Sequence, residues 1–193
     1  LHKLQLTAAK KPATDEQIME LMRSEQGFER GFRLLMTQYR ERLYWHIRRM
    51  VLTHEDADDV LQNTFVKVYR GIHLFEGKSK LYTWLYRIAT NESITHLQHK
   101  KRHASASLDD YTNLLANRLR ADEWFDGNAA QAKLLIAISQ LPDKQKQVFN
   151  LRYYSEMPYE EMSQLLNTSV GALKASFHHA VKKIETALLN PSQ

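Results

Sequence analysis

The sequence predicts an all-α protein made of two small helical domains joined by an acidic linker, the C-terminal domain containing a helix-turn-helix. Three observations predict it. Apolar residues recur three and four apart along almost the whole chain, with no convincing run of strand-like alternation. Six Gly and four Pro in 193 residues leave few places to break helices. The composition changes at Ala104, where a Ser/Asp/Asn-rich stretch separates two helical, basic regions.

The elements follow in order. The polar start, LHKLQLTAAKKPATDE, has no signal-peptide core, and residues 1–24 are expected to form an N-terminal extension whose first dozen residues are mobile. Because the chain begins at Leu, an initiating Met is expected to have been lost. Thr14 or Asp15 is placed to cap a short helix through Ile18, Leu21 and Met22. The first domain spans 25–103. A long helix is expected from about Phe28 to Leu52, with Phe32, Leu35, Met36, Tyr39, Leu43, Ile47 and Met50 on its apolar face. Another begins near Asp56 and carries Val60, Leu61, Phe65 and Val68. The break GIHLFEGKSK follows, and a fourth helix runs from about Leu81 to His99, ending in HKKRH. The linker spans 104–130, and its acids Asp109, Asp110, Asp122, Glu123 and Asp126 outnumber Arg118 and Arg120. Helical periodicity resumes at Lys133, and Pro142 and Pro158 divide the second domain, 131–190, into short helices.

Composition excludes several classes of function. The net charge of +5 and pI near 9.3 fit an anionic partner such as nucleic acid. The lack of Cys rules out disulfides, thiolate chemistry and Cys-based zinc sites, and fits a cytoplasmic location. No apolar run approaches the roughly 18 residues of a membrane span, so no membrane insertion is expected. Without a glycine-rich phosphate loop, a spaced Ser/His/Asp set or paired carboxylates, the chain reads as a non-enzyme without a cofactor.

The stretch TSVGALKASFHHAVKKIE, Thr168 to Glu185, carries cations and no acid until its last residue. Ser169 is a good N-cap. At 100° per residue, Leu173, Phe177, Ala180 and Ile184 share one stripe, while Lys174, Ala175, His178, His179 and Lys182 fall on the other side. Upstream, PYEEMSQLL places Tyr159, Met162, Leu165 and Leu166 on a stripe of its own. Short helix, turn and cationic second helix form a helix-turn-helix pattern, whose second helix enters the DNA major groove. The alternative is an amphipathic helix with a solvated basic face. His178 and His179 point about 100° apart, which does not suit two ligands of one ion. His96, His99 and His103 do share one helical face, but cations crowd them and the only nearby carboxylate in sequence is Glu92, so no metal is expected.

In the first domain, Asp58, Asp59, Gln62 and Asn63 form an acidic and amide side opposite an apolar one. Phe75 and Trp84 frame the following loop, and the last helix mixes Tyr82, Trp84, Tyr86, Arg87, Lys100, Lys101 and Arg102. Aromatics among cations suit single-stranded DNA, because bases stack while phosphates are neutralised. The helical spacing of Trp84, Leu85 and Ile88 equally suits a packed core.

Three blocks in order carry a resemblance: DADDVLQNTFVKVY, then F-x-G-x-S-x-L-Y-TWLYRIA-x-N, then LPDKQKQVFNLRYY with YEEMSQLLNTSVGALKASFHHAVKKI. Across residues 25 to 188 the chain resembles bacterial RNA polymerase sigma factors of the extracytoplasmic-function (ECF) group, in a Bacteroidetes-like variant. The resemblance implies a promoter-specificity subunit that binds core RNA polymerase and directs transcription initiation. Residues 25–103 correspond to sigma region 2, with Asp58, Asp59, Gln62 and Asn63 on the β′ clamp helices. The same region implies capture of the melted −10 strand by Phe75, Lys78, Ser79, Lys80, Tyr82, Trp84, Arg87, Asn91, Lys100, Lys101 and Arg102. The resemblance further implies that a base is flipped into the loop Phe75 to Lys80 and read with help from Asn91. Residues 131–190 correspond to region 4, implying contact with the β flap and with the −35 duplex through Ser169, Lys174, Ala175, Ser176, His178, His179 and Lys182. An anti-sigma factor is a further implied partner. The acidic linker is expected to thread toward the polymerase active centre. Glu76, Lys78 and the Lys174–Ser176 triplet depart from the usual pattern, so the promoter sequence itself does not carry over, and Asn63 departs from it at one of the core-polymerase contacts.

Overall fold

The computed structural model describes residues 12–103 and 129–189; the start of the expected extension, nearly all of the linker and the side chains of Lys101 and His103 lie outside the described residues. Among the described residues every regular element is helical. The chain divides into two compact units, Leu1–Arg40 and Glu41–Gln193.

The first unit holds α1 (Asp15–Arg23) and the start of α2 (Glu25–Val51). Thr14 is the cap, in a reciprocal capping box: its hydroxyl accepts from the Gln17 N–H at 3.3 Å, and the Gln17 side chain accepts from the Thr14 N–H at 2.9 Å. Two of the four orphan donors at the helix start are satisfied this way. Ser24 stops α1 in an extended conformation, and its hydroxyl accepts from the Gly27 N–H at 3.1 Å to open α2. A Cβ on Gly27 would lie 2.5 Å from the Leu21 carbonyl oxygen, so this corner requires glycine. Asp15 then anchors the pair of helices, accepting from the Tyr39 hydroxyl at 2.5 Å and the Gln38 amide at 3.3 Å.

The second unit begins with the rest of α2, which ends one residue before the expected Leu52. Leu52 itself turns the chain at φ 71, a conformation costly for a side-chain-bearing residue, with its N–H on the Arg48 carbonyl at 2.9 Å. Next comes α3 (His54–Gly71), two residues earlier than expected because Thr53, and not a later residue, takes the N-cap. The stripe Val60, Leu61, Phe65 and Val68 is buried as its spacing predicts. A short 3₁₀ turn, Ile72–Leu74, leads into the loop, and α4 runs Leu81–His103, one turn beyond His99. Leu81, Leu85, Ala89 and Leu97 of α4 are buried, as are the polar Thr83, Thr90 and Ser93. Ser93 satisfies its hydroxyl on the Ala89 carbonyl at 2.8 Å.

The C-terminal helices are α5 (Ala129–Ser139), α6 (Asp143–Phe149), α7 (Tyr159–Leu166) and α8 (Val170–Leu189). Their core gathers Ala137, Ile138, Leu141, Phe149, Ala180 and Ile184, with Leu134, Tyr154, Phe177 and Val181 packed against it. Phe149 stacks on Phe177 at 5.8 Å between ring centroids. The predicted stripe of α8 is the face that makes this core. One feature has no counterpart in the expectations: α6 widens into a π turn at Asn150–Tyr154, and the Asn150 side-chain amide is buried there without a hydrogen-bond partner. Asn167, in the left-handed conformation at φ 48, ends α7, and the Ser169 hydroxyl accepts from the Ala172 N–H at 3.3 Å to begin α8. These two caps set the turn of the helix-turn-helix.

Candidate nucleic-acid interface

Because α8 buries Leu173, Ala180 and Ile184, its remaining side chains must face outward, and Lys174, Ala175, His178, His179 and Lys182 are all exposed. Ser176 is half-buried and Ser169 is occupied as the cap. Lys174 lies 5.7 Å from the ring centre of Tyr159 in α7, and Arg152 lies 5.1 Å from it. A tyrosine between two cations holds Lys174 close to the turn, where cation–π attraction limits its wandering.

On α3 the buried stripe forces Asp58, Asp59, Gln62 and Asn63 to the opposite, exposed face. Val66 and Tyr69 extend that face with exposed apolar surface. Asp58 is 3.3 Å from His54, whose Nδ1 shares a 2.7 Å hydrogen bond with the Tyr44 hydroxyl. The result is an acid-and-amide strip with an apolar margin, a surface suited to a partner helix bearing Arg and apolar groups.

The loop between α3 and α4 is framed as expected. Phe75 and Trp84 pack at 5.6 Å between centroids, both half-buried, so Trp84 is at once core and wall. Gly77 supplies the left-handed turn at φ 72. Lys78 pairs with Glu76, Ser79 is half-buried, and Lys80 reaches over Tyr82 at 5.7 Å. Asn91 is exposed one turn past Arg87.

The basic end of α4 is less uniform than its sequence implies. Arg102 is exposed, but Lys100 donates to Asp56 at 2.5 Å and His96 lies 3.0 Å from the other oxygen of the same carboxylate. The carboxylate beside His96 is therefore Asp56 of α3; Glu92 is taken by Lys67 at 2.5 Å. Burial pushes the Asp56 carboxyl up, but hydrogen bonds from Lys100 and Thr53, the Lys100 charge and the contact with His96 outweigh it and hold its pKa below the usual carboxylate range. Among the described residues no cluster of His, Asp and Glu is arranged to hold a metal ion, and no helix is long and apolar enough to cross a membrane.

Several residues that matter to these surfaces escaped the sequence reading. Asp56 bridges 40 and 44 residues to its partners, a separation no local pattern encodes. His46 is buried at 1 % exposure, with Nε2 2.9 Å from the Thr90 hydroxyl and its ring 4.7 Å from that of Tyr86. It stood on the apolar stripe of α2, between Leu43 and Met50, so its place was legible even though its polarity concealed it.

An outward-facing basic helix, an aromatic loop and an acidic strip, all within Glu41–Gln193, are the features of a helical protein suited to DNA and to a protein partner. Residues 35–103 match the family Sigma-70 region 2, and residues 131–184 match Sigma-70, region 4. The chain is 31% identical over 190 residues to the RNA polymerase sigma-H factor of Pseudomonas aeruginosa, covering 90% of this chain and 93% of that one. It is 29% identical to the ECF RNA polymerase sigma-E factor of Haemophilus influenzae, over 91% of this chain and 95% of that one. In fold it is similar to the sigma factor RpoE of Bartonella quintana, solved in complex with the anti-sigma factor NepR, with a TM-score of 0.63 and 19% identity over 84% of this chain and 98% of that one. It is similar also to CnrH, solved with the cytosolic domain of CnrY, with a TM-score of 0.64 and 21% identity over 91% and 96% of the two chains. The chain belongs to the ECF RNA polymerase sigma factors, which recognise promoters and direct transcription initiation.

Proposed function

We propose that this sigma factor reads promoters with two grips held on core RNA polymerase in the cytoplasm, acting through binding energy and not through catalysis of its own. The domains that do so are 25–103 and 131–190, tethered by 104–130. Asp58, Asp59, Gln62 and Asn63 dock on the β′ clamp helices, where acids and amides pair with Arg on the partner. The second domain meets the β flap and lays α8 in the major groove of the −35 duplex, with Lys174, Ala175 and His178 toward base edges and Ser169, Ser176, His179 and Lys182 toward the backbone. The −10 strand, once melted, lies across Phe75, Lys78, Ser79, Lys80, Tyr82, Trp84, Arg87 and Asn91, with Lys100, Lys101 and Arg102 toward its phosphates. Flipping one base into the loop costs a few kcal/mol of unstacking, offset by stacking and hydrogen bonds in the pocket. Joining both grips on one machine makes the second an intramolecular event and raises overall affinity without new contacts.

The observation that carries this reading is the outer face of α8, where five of the seven residues picked for duplex DNA, Lys174, Ala175, His178, His179 and Lys182, are solvent-facing while Leu173, Ala180 and Ile184 on the opposite stripe are buried. An anti-sigma factor is the partner that would silence such a protein, as NepR partners RpoE. The KASFHHAVKKI form of α8 favours a Bacteroidetes-like variant. Transcription in vitro with core polymerase and a promoter library tests the proposal. Discrete starts that depend on this chain and on both elements are expected; failure to bind core, or starts indifferent to the −35 sequence, would remove it.

A further inference from the structure

The corner between α2 and α3 joins three side chains in a line that helix stability does not require. Leu52, in its left-handed conformation, turns the chain there, and His54, the first residue of α3, meets Tyr44, two turns before the end of α2. The Tyr44 hydroxyl lies 2.7 Å from Nδ1 of His54, and Nε2 of the same ring lies 3.3 Å from a carboxylate oxygen of Asp58. Asp58 follows His54 by four residues, which sets both on one face of α3. The partners fix the direction of the hydrogen bonds. A carboxylate can only accept, so Nε2 carries the proton; Nδ1 of a neutral ring then accepts, and the Tyr44 hydroxyl donates to it. Ring packing holds the same line: Tyr44 meets the His54 ring edge-on at 5.9 Å between centroids and the Trp45 ring at 5.3 Å. The start of α3 needs none of this. Thr53 caps it, accepting from the Asp56 N–H at 3.3 Å and donating to the Asp56 carboxylate at 2.6 Å, and a basic side chain in a first turn opposes the helix dipole.

We propose that His54 is a positioning residue for the protein-docking strip: oriented by Tyr44, it holds Asp58 in the rotamer that receives an arginine of the partner helix. The proposal rests on the assignment of Asp58 to core polymerase. Two acids near the start of α3 show why an imidazole suits the task. Asp56 is buried and has its charge met by Lys100 at 2.5 Å, so it fastens α3 to α4. Asp58 stays half exposed, and the neutral ring that steadies it leaves its negative charge for a guanidinium. A lysine or arginine in the place of His54 would orient the carboxylate and cancel its charge together. A carboxylate already held in its bound rotamer loses less freedom on docking, and the gain appears as affinity without a new contact between the two proteins.

Affinity of the full chain for core polymerase, read by fluorescence anisotropy of a dye at its N-terminus, tests this, with urea unfolding as the check on folding. Tyr44→Phe and His54→Ala are each expected to weaken binding about three- to tenfold, the worth of one hydrogen bond. His54→Gln keeps an amide donor for Asp58 in the place of Nε2 and is expected to bind within about twofold of the parent, a rescue that loss of packing at the corner cannot explain. In an Asp58→Ala background, His54→Ala is expected to change nothing further, because the residue it acts through is gone. Parent-like binding by His54→Ala or Tyr44→Phe, the same loss from His54→Ala with and without Asp58, or His54→Gln no tighter than His54→Ala overturns the positioning role. Asp58→Ala reads the strip assignment by itself. Core binding unchanged by it removes that assignment and the role of His54 with it, whereas weaker binding by Asp58→Ala beside unaltered binding by His54→Ala removes the role alone.

Discussion

Lowering the pH from 7.5 to 5 should weaken the part of the chain that matches Sigma-70 region 2 through one buried side chain, His46. Burial, aided by the charge of Arg49, drives its pKa down to about 3. An unfolded chain leaves the same imidazole near its ordinary ~6.5. Between these values the unfolded state takes up a proton that the native state refuses. The stability supplied by the neutral ring is thus complete above the unfolded value and drains away as pH falls toward the folded one. Over the interval from pH 7.5 to pH 5 the loss works out at about 2 kcal/mol, because most of the 2.5-unit drop lies below ~6.5 and each unit there is worth ~1.36 kcal/mol. Asp56 does not confuse the reading. Its pKa is depressed, so its contribution is kept above the ordinary carboxylate range and falls only as pH drops through its lower folded value. Urea unfolding of the parent and of His46→Gln at both pH values isolates the effect, since the other eight His residues contribute alike to each. Glutamine keeps a polar end near Thr90 without a titrating ring. The parent should lose about 2 kcal/mol more than the variant across the interval. Equal losses, or an imidazole resonance of His46 that titrates near pH 6, would refute the reasoning.

Three other outcomes follow from the same geometry. Lys174→Ala should weaken −35 duplex binding by about 1–3 kcal/mol while core polymerase binding, measured by co-elution, stays intact; loss of core binding instead would mean that α8 is not the duplex reader. Asp56→Asn removes the charge that faces Lys100 and His96, and should destabilise the α3–α4 pair by about 1–3 kcal/mol in thermal or urea unfolding. It should also leave Lys100 free for phosphate, so that the salt dependence of strand binding steepens. Phe75→Ala takes away the partner of Trp84 and should cost about 1–3 kcal/mol in binding to a −10 oligonucleotide, read by fluorescence anisotropy, with duplex affinity unchanged.

What the sequence made legible, and what it withheld, divides along one physical line. Features whose cause is local were readable: the caps at Thr14 and Ser169, the stripe Leu173–Phe177–Ala180–Ile184, and the acid-and-amide face of α3 all follow from side chains a few residues apart. Features whose cause lies across the fold were not. The π turn at Asn150–Tyr154 changes the backbone register without changing the apolar spacing, so nothing in the text of LRYY announces it. The HKKRH end of α4 reads as a uniform basic tail, yet Asp56, from the start of α3, turns Lys100 inward and leaves Arg102 outside. The same limit applies to Lys80 and Arg87. Their spacing of seven places both on one side of α4, and that spacing serves a phosphate backbone and the two ends of α7 alike, where Lys80 meets Glu161 and Arg87 the Gln164 carbonyl. A cationic face therefore states which chemistry it accepts and not which partner holds it.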